Sequence, residues 1–425
     1  MRTVVRESRE GRGSVVRRYK LNSWEGLSSS AAQFGVILVG VDYYFMKGGS
    51  IALLWAILLA PVCLPALHRY RLSRVIVVAT PLTLVWGYVL ALQATVDHSV
   101  DLANMQVIMG VVLTGIAALV LVLWARTFVS VNRVAILFGI GLLMRALMEG
   151  DFTWKFGLAM PVTFMVMGLM GQARNKVLPA VVILTMGAFG IVTGARSYFA
   201  FCFISAVLIL WQSAPSRVRE ESAGGALRRW RPALLMLSLG LVVYFAISAL
   251  LVNGAFGRNM QERSQAQVEA SGSLIAGGRP EWAATRELAR NRPHGFGAGV
   301  VPTWGDLEAG KAGLASINVD AGGYTKYYMF GGSFELHSVM ADFWVSFGFA
   351  GLGLTFIVLF CLVRNVSTLV SMKLAAPIVL FSTLISLWSM FFGPMYTDWL
   401  PICVALGMSM LTRELRTGAG QLAPV

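Results

Sequence analysis

Charge is what this sequence has least of. Only 13% of its 425 residues are Asp, Glu, Lys or Arg, about half the share of a soluble domain, which excludes an exterior bathed mainly in water. Short segments of alternating polar and apolar residues are missing too, and with them a membrane β-barrel. Cysteine is scarce: Cys63, Cys202, Cys361 and Cys403 lie singly in apolar runs. They have no metal-ligand spacing, and the longest polar stretch holds none to cross-link, so they read as small buried hydrophobes. Residues 1–20 contain no apolar core of the kind a signal peptide needs, so the first apolar helix is expected to stay in the mature chain.

What is abundant is apolar side chains, 56% of the chain, gathered in runs of roughly 17–22 residues, the length that crosses a hydrocarbon core. The expected fold class is all-α: a polytopic membrane protein of about twelve transmembrane helices. They fall near 29–46, 51–67, 75–94, 105–125, 134–149, 156–171, 177–193, 197–212, 233–252, 339–363, 374–393 and 396–412. A basic tail, 1–28, precedes a single transmembrane domain, 29–425, and one long polar loop, 253–338, is inserted between helices 9 and 10.

The formal net charge of +14 raises nucleic acid as a partner. The basic residues fall between apolar runs, however, where control of topology accounts for them. No patch interleaves them with aromatics for base stacking, so no nucleic-acid partner is expected. Connections rich in positive charge (Arg2 to Lys20, Arg126 and Arg133, Arg217 and Arg219, Arg413 and Arg416) alternate with poor ones such as 96–101 and 149–151. By the positive-inside rule both termini are cytoplasmic, and the 253–338 loop and the turn bearing Arg196 face the extracytoplasmic side. Within the loop, residues 280–290 predict one amphipathic helix with Pro280 in its first turn and Glu281 near the positive end of its dipole. Trp282, Ala283, Leu288 and Ala289 would form a stripe resting on the membrane surface.

A few residues are candidates for chemistry. Arg196, in Thr193-Gly194-Ala195-Arg196-Ser197, is either a snorkelling helix-end anchor or a phosphate-gripping guanidinium. Arg279, beside Pro280, is by composition one loop arginine among several. His337 lies where the loop re-enters the membrane, and histidine is the side chain type suited to proton transfer near neutral pH. Either Glu335 or Asp342 is a candidate to orient it. Asp42, a carboxylate at the outer end of the first helix, is a functional candidate by default, with Arg145 as a candidate ion partner.

His337-Ser338, nine residues, then Gly348 and Gly351 reproduce a pattern of the bacterial O-antigen ligase family. Gly278-Arg279-Pro280-Glu281-Trp282, Pro293-His294-Gly295-Phe296-Gly297 and Gly194-Ala195-Arg196-Ser197 also resemble that family and the related O-antigen polymerases, although Gly-Ser-Arg-Gly is commoner in the last position. The resemblance covers about 190–351 by motif and the remainder by hydropathy. It implies a membrane glycosyltransferase of the GT-C type in a bacterial inner or plasma membrane, with no cofactor, nucleotide sugar or metal. The donor would be a glycan on polyprenyl (in many relatives undecaprenyl) pyrophosphate. The acceptor would be a sugar hydroxyl on a glycan or lipid-linked glycan. Arg196 and Arg279 would bind the pyrophosphate and His337 would assist the attacking hydroxyl, with Trp282, Ser338, Glu335 and Asp42 as supporting residues. Ligase and polymerase remain alternatives. So do a transporter or flippase of lipid-linked sugars, a metal-dependent GT-C enzyme using Asp42 as base, and a membrane scaffold.

Overall fold

The structure is a computed structural model that describes residues 23–173, 175, 177–213, 225–255, 257–272, 278–319, 323 and 325–413. Residues 1–22 of the basic tail, Arg217, Arg219 and Arg416 lie outside the described residues. Every apolar run expected to be helical is helical, but the runs differ in length. Among the described residues, six helices are long and apolar enough to cross a membrane, and seven if one bent pair counts as a single span. The protein is an all-α, membrane-embedded helical bundle with a two-stranded hairpin at one end.

The first helix, α1 (Ser23–Val41), begins inside the stretch assigned to the tail and stops at Val41, not at 46. Asp42 has φ +46°, and the chain then folds back as β1 (Tyr44–Met46) and β2 (Gly49–Ser50). The hairpin tip presses on α5 (Leu102–Ala125). A Cβ on Gly48 would strike the Gln106 carbonyl, and one on Gly110 would strike the Gly48 backbone. The second span is broken: α2 (Ile51–Leu58) and α3 (Ala60–Cys63), which continues as a 3₁₀ turn to Arg69, meet at 72°. Pro61 and Pro65 suit the first turns of these short pieces and deny a continuous helix its backbone bonds.

Then come α4 (Ser73–Ala94), α5, α6 (Val131–Glu149), α7 (Ala159–Met170), α8 (Leu178–Val192), α9 (Arg196–Ser213) and α10 (Gly225–Val252). α5 is apolar all round, as a central helix must be, and it is buried over most of its length. Gly115 admits the Trp399 indole, whose Nε1 donates to the Val112 carbonyl at 3.2 Å. At the far end of α5, Arg126 donates through Nη1 to the Gly407 and Met410 carbonyls at 2.7 and 2.8 Å. These are end-of-helix acceptors that would otherwise lack donors.

The long connection contains α11 (Arg258–Ser271), α12 (Glu281–Asn291) and α13 (Trp304–Ala315). It leads into α14 (Val339–Ser371), α15 (Pro377–Phe392) and α16 (Met395–Ser409). α14 is not one straight helix. Gly348 sits at φ 57°, ψ −141°, a conformation open essentially only to glycine, and it divides the helix into a short piece, 339–347, and a long one, 349–371. The glycine-rich thread 293–301 fills the break. Phe296 and Gly297 both donate to the Val345 carbonyl, at 2.8 and 2.9 Å, and the Trp344 indole donates to the Pro293 carbonyl at 3.0 Å. Gly295, Gly297 and Gly299 all have positive φ and lie against backbone of α14, α4 and the α4–α5 connection, with no room for a Cβ. Val300 bridges Val100 just before α5, so the thread lies at the α5 N-terminal end, opposite Arg126.

Candidate active site

The site is built on the turn between the long connection and α14. Glu335 donates its backbone N–H to the Met329 carbonyl at 2.9 Å. His337 has φ +49°, a strained conformation for a side-chain-bearing residue, which surrounding bonds must hold. Ser338 caps α14, accepting from Ala341 N–H at 3.4 Å, and its hydroxyl donates to the Met390 carbonyl at 3.2 Å. Asp342 is buried, and its two oxygens accept from Leu336 N–H at 2.8 Å and Met395 N–H at 2.9 Å. It thus fastens the turn to the head of α16. Of the two acids considered as partners of the imidazole, Glu335 meets Nδ1 of His337 through its backbone oxygen, at 3.1 Å. A carbonyl only accepts, so in the neutral ring Nδ1 carries the proton and Nε2 carries the acceptor lone pair.

The same end of α15 also receives the loop helix. Trp282 Nε1 donates to the Phe391 carbonyl at 2.7 Å, so two carbonyls in the last turn of α15 are satisfied by Ser338 and Trp282. The helix itself forms as the sequence predicts, one residue displaced, with Pro280 at its N-cap. Its buried face differs from the expected stripe. Glu281, Ala284, Thr285 and Leu288 face inward, and Gly313 of α13 lies so close that a Cβ there would strike the Ala283 carbonyl. The apolar side is spent on α13, leaving Trp282 as the anchor. Helix spacing alone gives the stripe but not its partner.

Arg279 is half-buried just before α12 and within electrostatic reach of the half-buried Asp398 carboxylate in α16. Glu335 is within such reach of Asp342 and Tyr396, and the Ser333 hydroxyl donates to Glu335 Oε1 at 3.3 Å. Asp342, Tyr396, Asp398 and Ser333 are thus parts of the site that the sequence reading left out or placed otherwise. Asp398 carried a signal, as an acid inside an apolar run. Arg196 opens α9, which runs antiparallel to α15: Gln212 pairs with the Ala375 backbone and Phe201 meets Trp388 edge to face, ring centroids 6.0 Å apart. Arg196 is therefore at the end of the bundle that holds Phe391, Trp282 and Ser338. Asp42 belongs elsewhere. It accepts from Arg145 Nη1 at 2.7 Å, while Arg145 Nε donates to Glu149 at 2.8 Å, so the suggested Asp42–Arg145 pair forms between α1 and α6.

A second polar cluster clamps the long connection to the α4–α5 turn. His98, whose side chain is 7% exposed, lies between Asp306 Oδ2 at 3.0 Å and Asp97 Oδ1 at 2.8 Å. Arg292 reaches Asp97 at 3.0 Å and lies over Phe296, 5.3 Å from the ring centroid. Asp306 doubles as the capping-box acid of α13, accepting from Thr303 N–H at 2.7 Å, an arrangement that satisfies orphan donors at a helix start. Comparison of the chain with family models, with curated proteins and with solved structures finds no match.

Proposed function

We propose that this chain is a membrane glycosyltransferase of the O-antigen ligase or polymerase type. In this reading its twelve apolar helices form a GT-C-like bundle in a bacterial inner membrane, with both termini cytoplasmic and the His337 end extracytoplasmic. It moves a glycan from polyprenyl pyrophosphate to a sugar hydroxyl. The observation that carries the reading is the His337 turn. A histidine with a left-handed backbone lies in a turn fastened through Ser338 and Asp342 to the ends of α15 and α16, and Arg279 and Arg196 belong to the same end of the bundle.

The chemistry asked of these residues is limited. The acceptor oxygen bonds to the anomeric carbon, the bond from that carbon to the pyrophosphate oxygen breaks, and the electron pair leaves with the pyrophosphate. The hydroxyl proton passes to Nε2 of His337, the nitrogen left as acceptor by the Nδ1 contact. The guanidiniums of Arg196 and Arg279 stabilise the departing negative charge. A unit charge pair at 4 Å is worth about 4 kcal/mol at an effective dielectric of 20, so a contact that tightens as the bond breaks supplies about 100-fold or more.

The test is transfer by purified protein in proteoliposomes supplied with a polyprenyl-pyrophosphate oligosaccharide and a glycan acceptor, with no ion gradient. Arg196→Ala, Arg279→Ala and His337→Ala are expected to insert normally and to lose about 100-fold or more of the rate. Wild-type turnover by all three variants, or no new glycosidic bond with any donor, would refute the proposal.

A further inference from the structure

We propose that the end of the bundle opposite His337 carries a binding site for an anionic phospholipid, its headgroup phosphate gripped between Arg69 and Arg413. The inference is independent of the glycosyltransferase reading.

The chain beyond α16 assembles this site. It extends and lies antiparallel to the end of the broken second span, where Thr412 bridges Tyr70. Arg413 N–H donates to the Arg69 carbonyl at 2.9 Å, and Arg71 N–H donates to the Leu411 carbonyl at 3.3 Å. That register sets Arg69 directly opposite Arg413. Tyr70 is buried, and side chains alternate along an extended segment, so Arg69 and Arg413 share the outer face, where both are exposed. On the inner face Arg126 lies over the Tyr70 ring, 5.2 Å from its centroid, and adds a third positive charge.

Like charges directly across a strand pair repel. Segments 60–75, 120–130 and 400–413, which meet here, carry Arg69, Arg71, Arg74, Arg126 and Arg413 and no Asp or Glu. Arg69 and Arg413 form no ion pair with any described residue. Control of topology accounts for arginines at this end, but not for two of them held face to face. An anion between them removes the repulsion, and phosphate oxygens match the donor geometry of guanidinium groups.

Depth and neighbours identify the source of the phosphate. α5 is apolar for 24 residues, about 36 Å at 1.5 Å per residue, which exceeds a hydrocarbon core of about 30 Å. Arg126 directly follows α5, so the bridge beside it stands at headgroup level. Segment 60–69 leaves the second span at 72° and exposes Val62 and Leu64 in the turns before Arg69, while α4 exposes Val75 and Val78 just after it. Apolar side chains open to lipid beside two guanidiniums fit a molecule that joins acyl chains to a phosphate. A net negative headgroup fits better than a zwitterionic one, whose cation the arginines repel.

The experiment is native mass spectrometry of the full-length protein released from micelles, titrated with phosphatidylglycerol, phosphatidylcholine or inorganic phosphate. The wild type is expected to retain phosphatidylglycerol in preference to phosphatidylcholine. Retention should weaken about fivefold in Arg69→Gln and in Arg413→Gln, and about 25-fold in the double variant. Arg133→Gln, an exposed arginine on α6 away from the bridge, should retain the lipid as the wild type does. The bridge uses backbone groups only, so both glutamine variants should fold; thermal unfolding checks this, and either one alone decides the question. Equal retention of the two lipids by the wild type, or undiminished retention by the folded variants, overturns the site. An equal loss in Arg133→Gln would show diffuse charge instead of a site, and displacement of the lipid by an equal concentration of inorganic phosphate would show a free-anion site; each also overturns it.

Discussion

Replacing Gly348 with alanine probes the break in α14. At φ 57°, ψ −141° an alanine would occupy a backbone region that costs about 1–3 kcal/mol. Its Cβ would also collide with the His294 carbonyl and lie 2.9 Å from Leu90 Cδ1, an overpacking worth roughly another 1–3 kcal/mol. The substitution is thus expected to destabilise by about 2–6 kcal/mol, or to straighten the helix and expel the 293–301 thread. In the second case the Val345 carbonyl returns to its own helix, and the Phe296 and Gly297 amides lose their acceptor. Gly353→Ala is the control within the same helix. That glycine has no neighbour within 4 Å of a built Cβ, and alanine there should stabilise by about 0.5–1 kcal/mol. Thermal unfolding in detergent gives the two signs, and hydrogen exchange at Phe296 and Gly297 tells strain from straightening. Equal stability of wild type and Gly348→Ala, with unchanged exchange at both amides, would show that the break is not enforced as described.

Other perturbations have comparably direct outcomes. Asp342→Asn turns an amide donor toward Leu336 N–H or Met395 N–H and should cost about 1–3 kcal/mol in unfolding measurements; an unchanged midpoint would mean the carboxylate does not hold the turn. Arg126→Met leaves the Gly407 and Met410 carbonyls without their donor, so exchange or proteolysis should report a loosened C-terminal end of α16, with a cost of about 1–3 kcal/mol. Trp282→Phe removes one hydrogen bond to Phe391 and should speed amide exchange throughout α12 with a loss of about 0.5–1.5 kcal/mol. The Asp97 carboxyl is held below the ordinary carboxylate range, first by its hydrogen bond from His98 and then by Arg292. A depressed folded-state pKa stabilises the folded form above about pH 4 and loses that contribution as pH falls. Exchange at 293–301 should therefore rise on acidification, and Asp97→Asn should flatten that rise.

Apolar run length and turn residues made most helices legible, including the loop helix, because periodicity and Pro280 act locally. What stayed hidden depends on contacts between distant segments. A glycine in an apolar run reads as an ordinary helical residue, and nothing near Gly348 announces that 293–301 will occupy a break there. Asp42 and Arg145 stood out as charges within apolar segments, and the two do pair. His337-Ser338, Arg279, Trp282 and Arg196 were visible as residues worth placing. The bonds of Asp342 to two backbone amides were not, since one of those amides, Met395, lies far along the chain.

The plugged break in α14 bears on how the protein is made. The 293–301 thread leaves the ribosome before Val345, so the two donors that carbonyl needs already exist when the helix emerges. A chain lacking the thread would present a kinked helix with an unanswered carbonyl to lipid, where no water can compensate. Biosynthetic order and bond pattern therefore agree, and excising the connection would leave an incompletely folded bundle, not a smaller one.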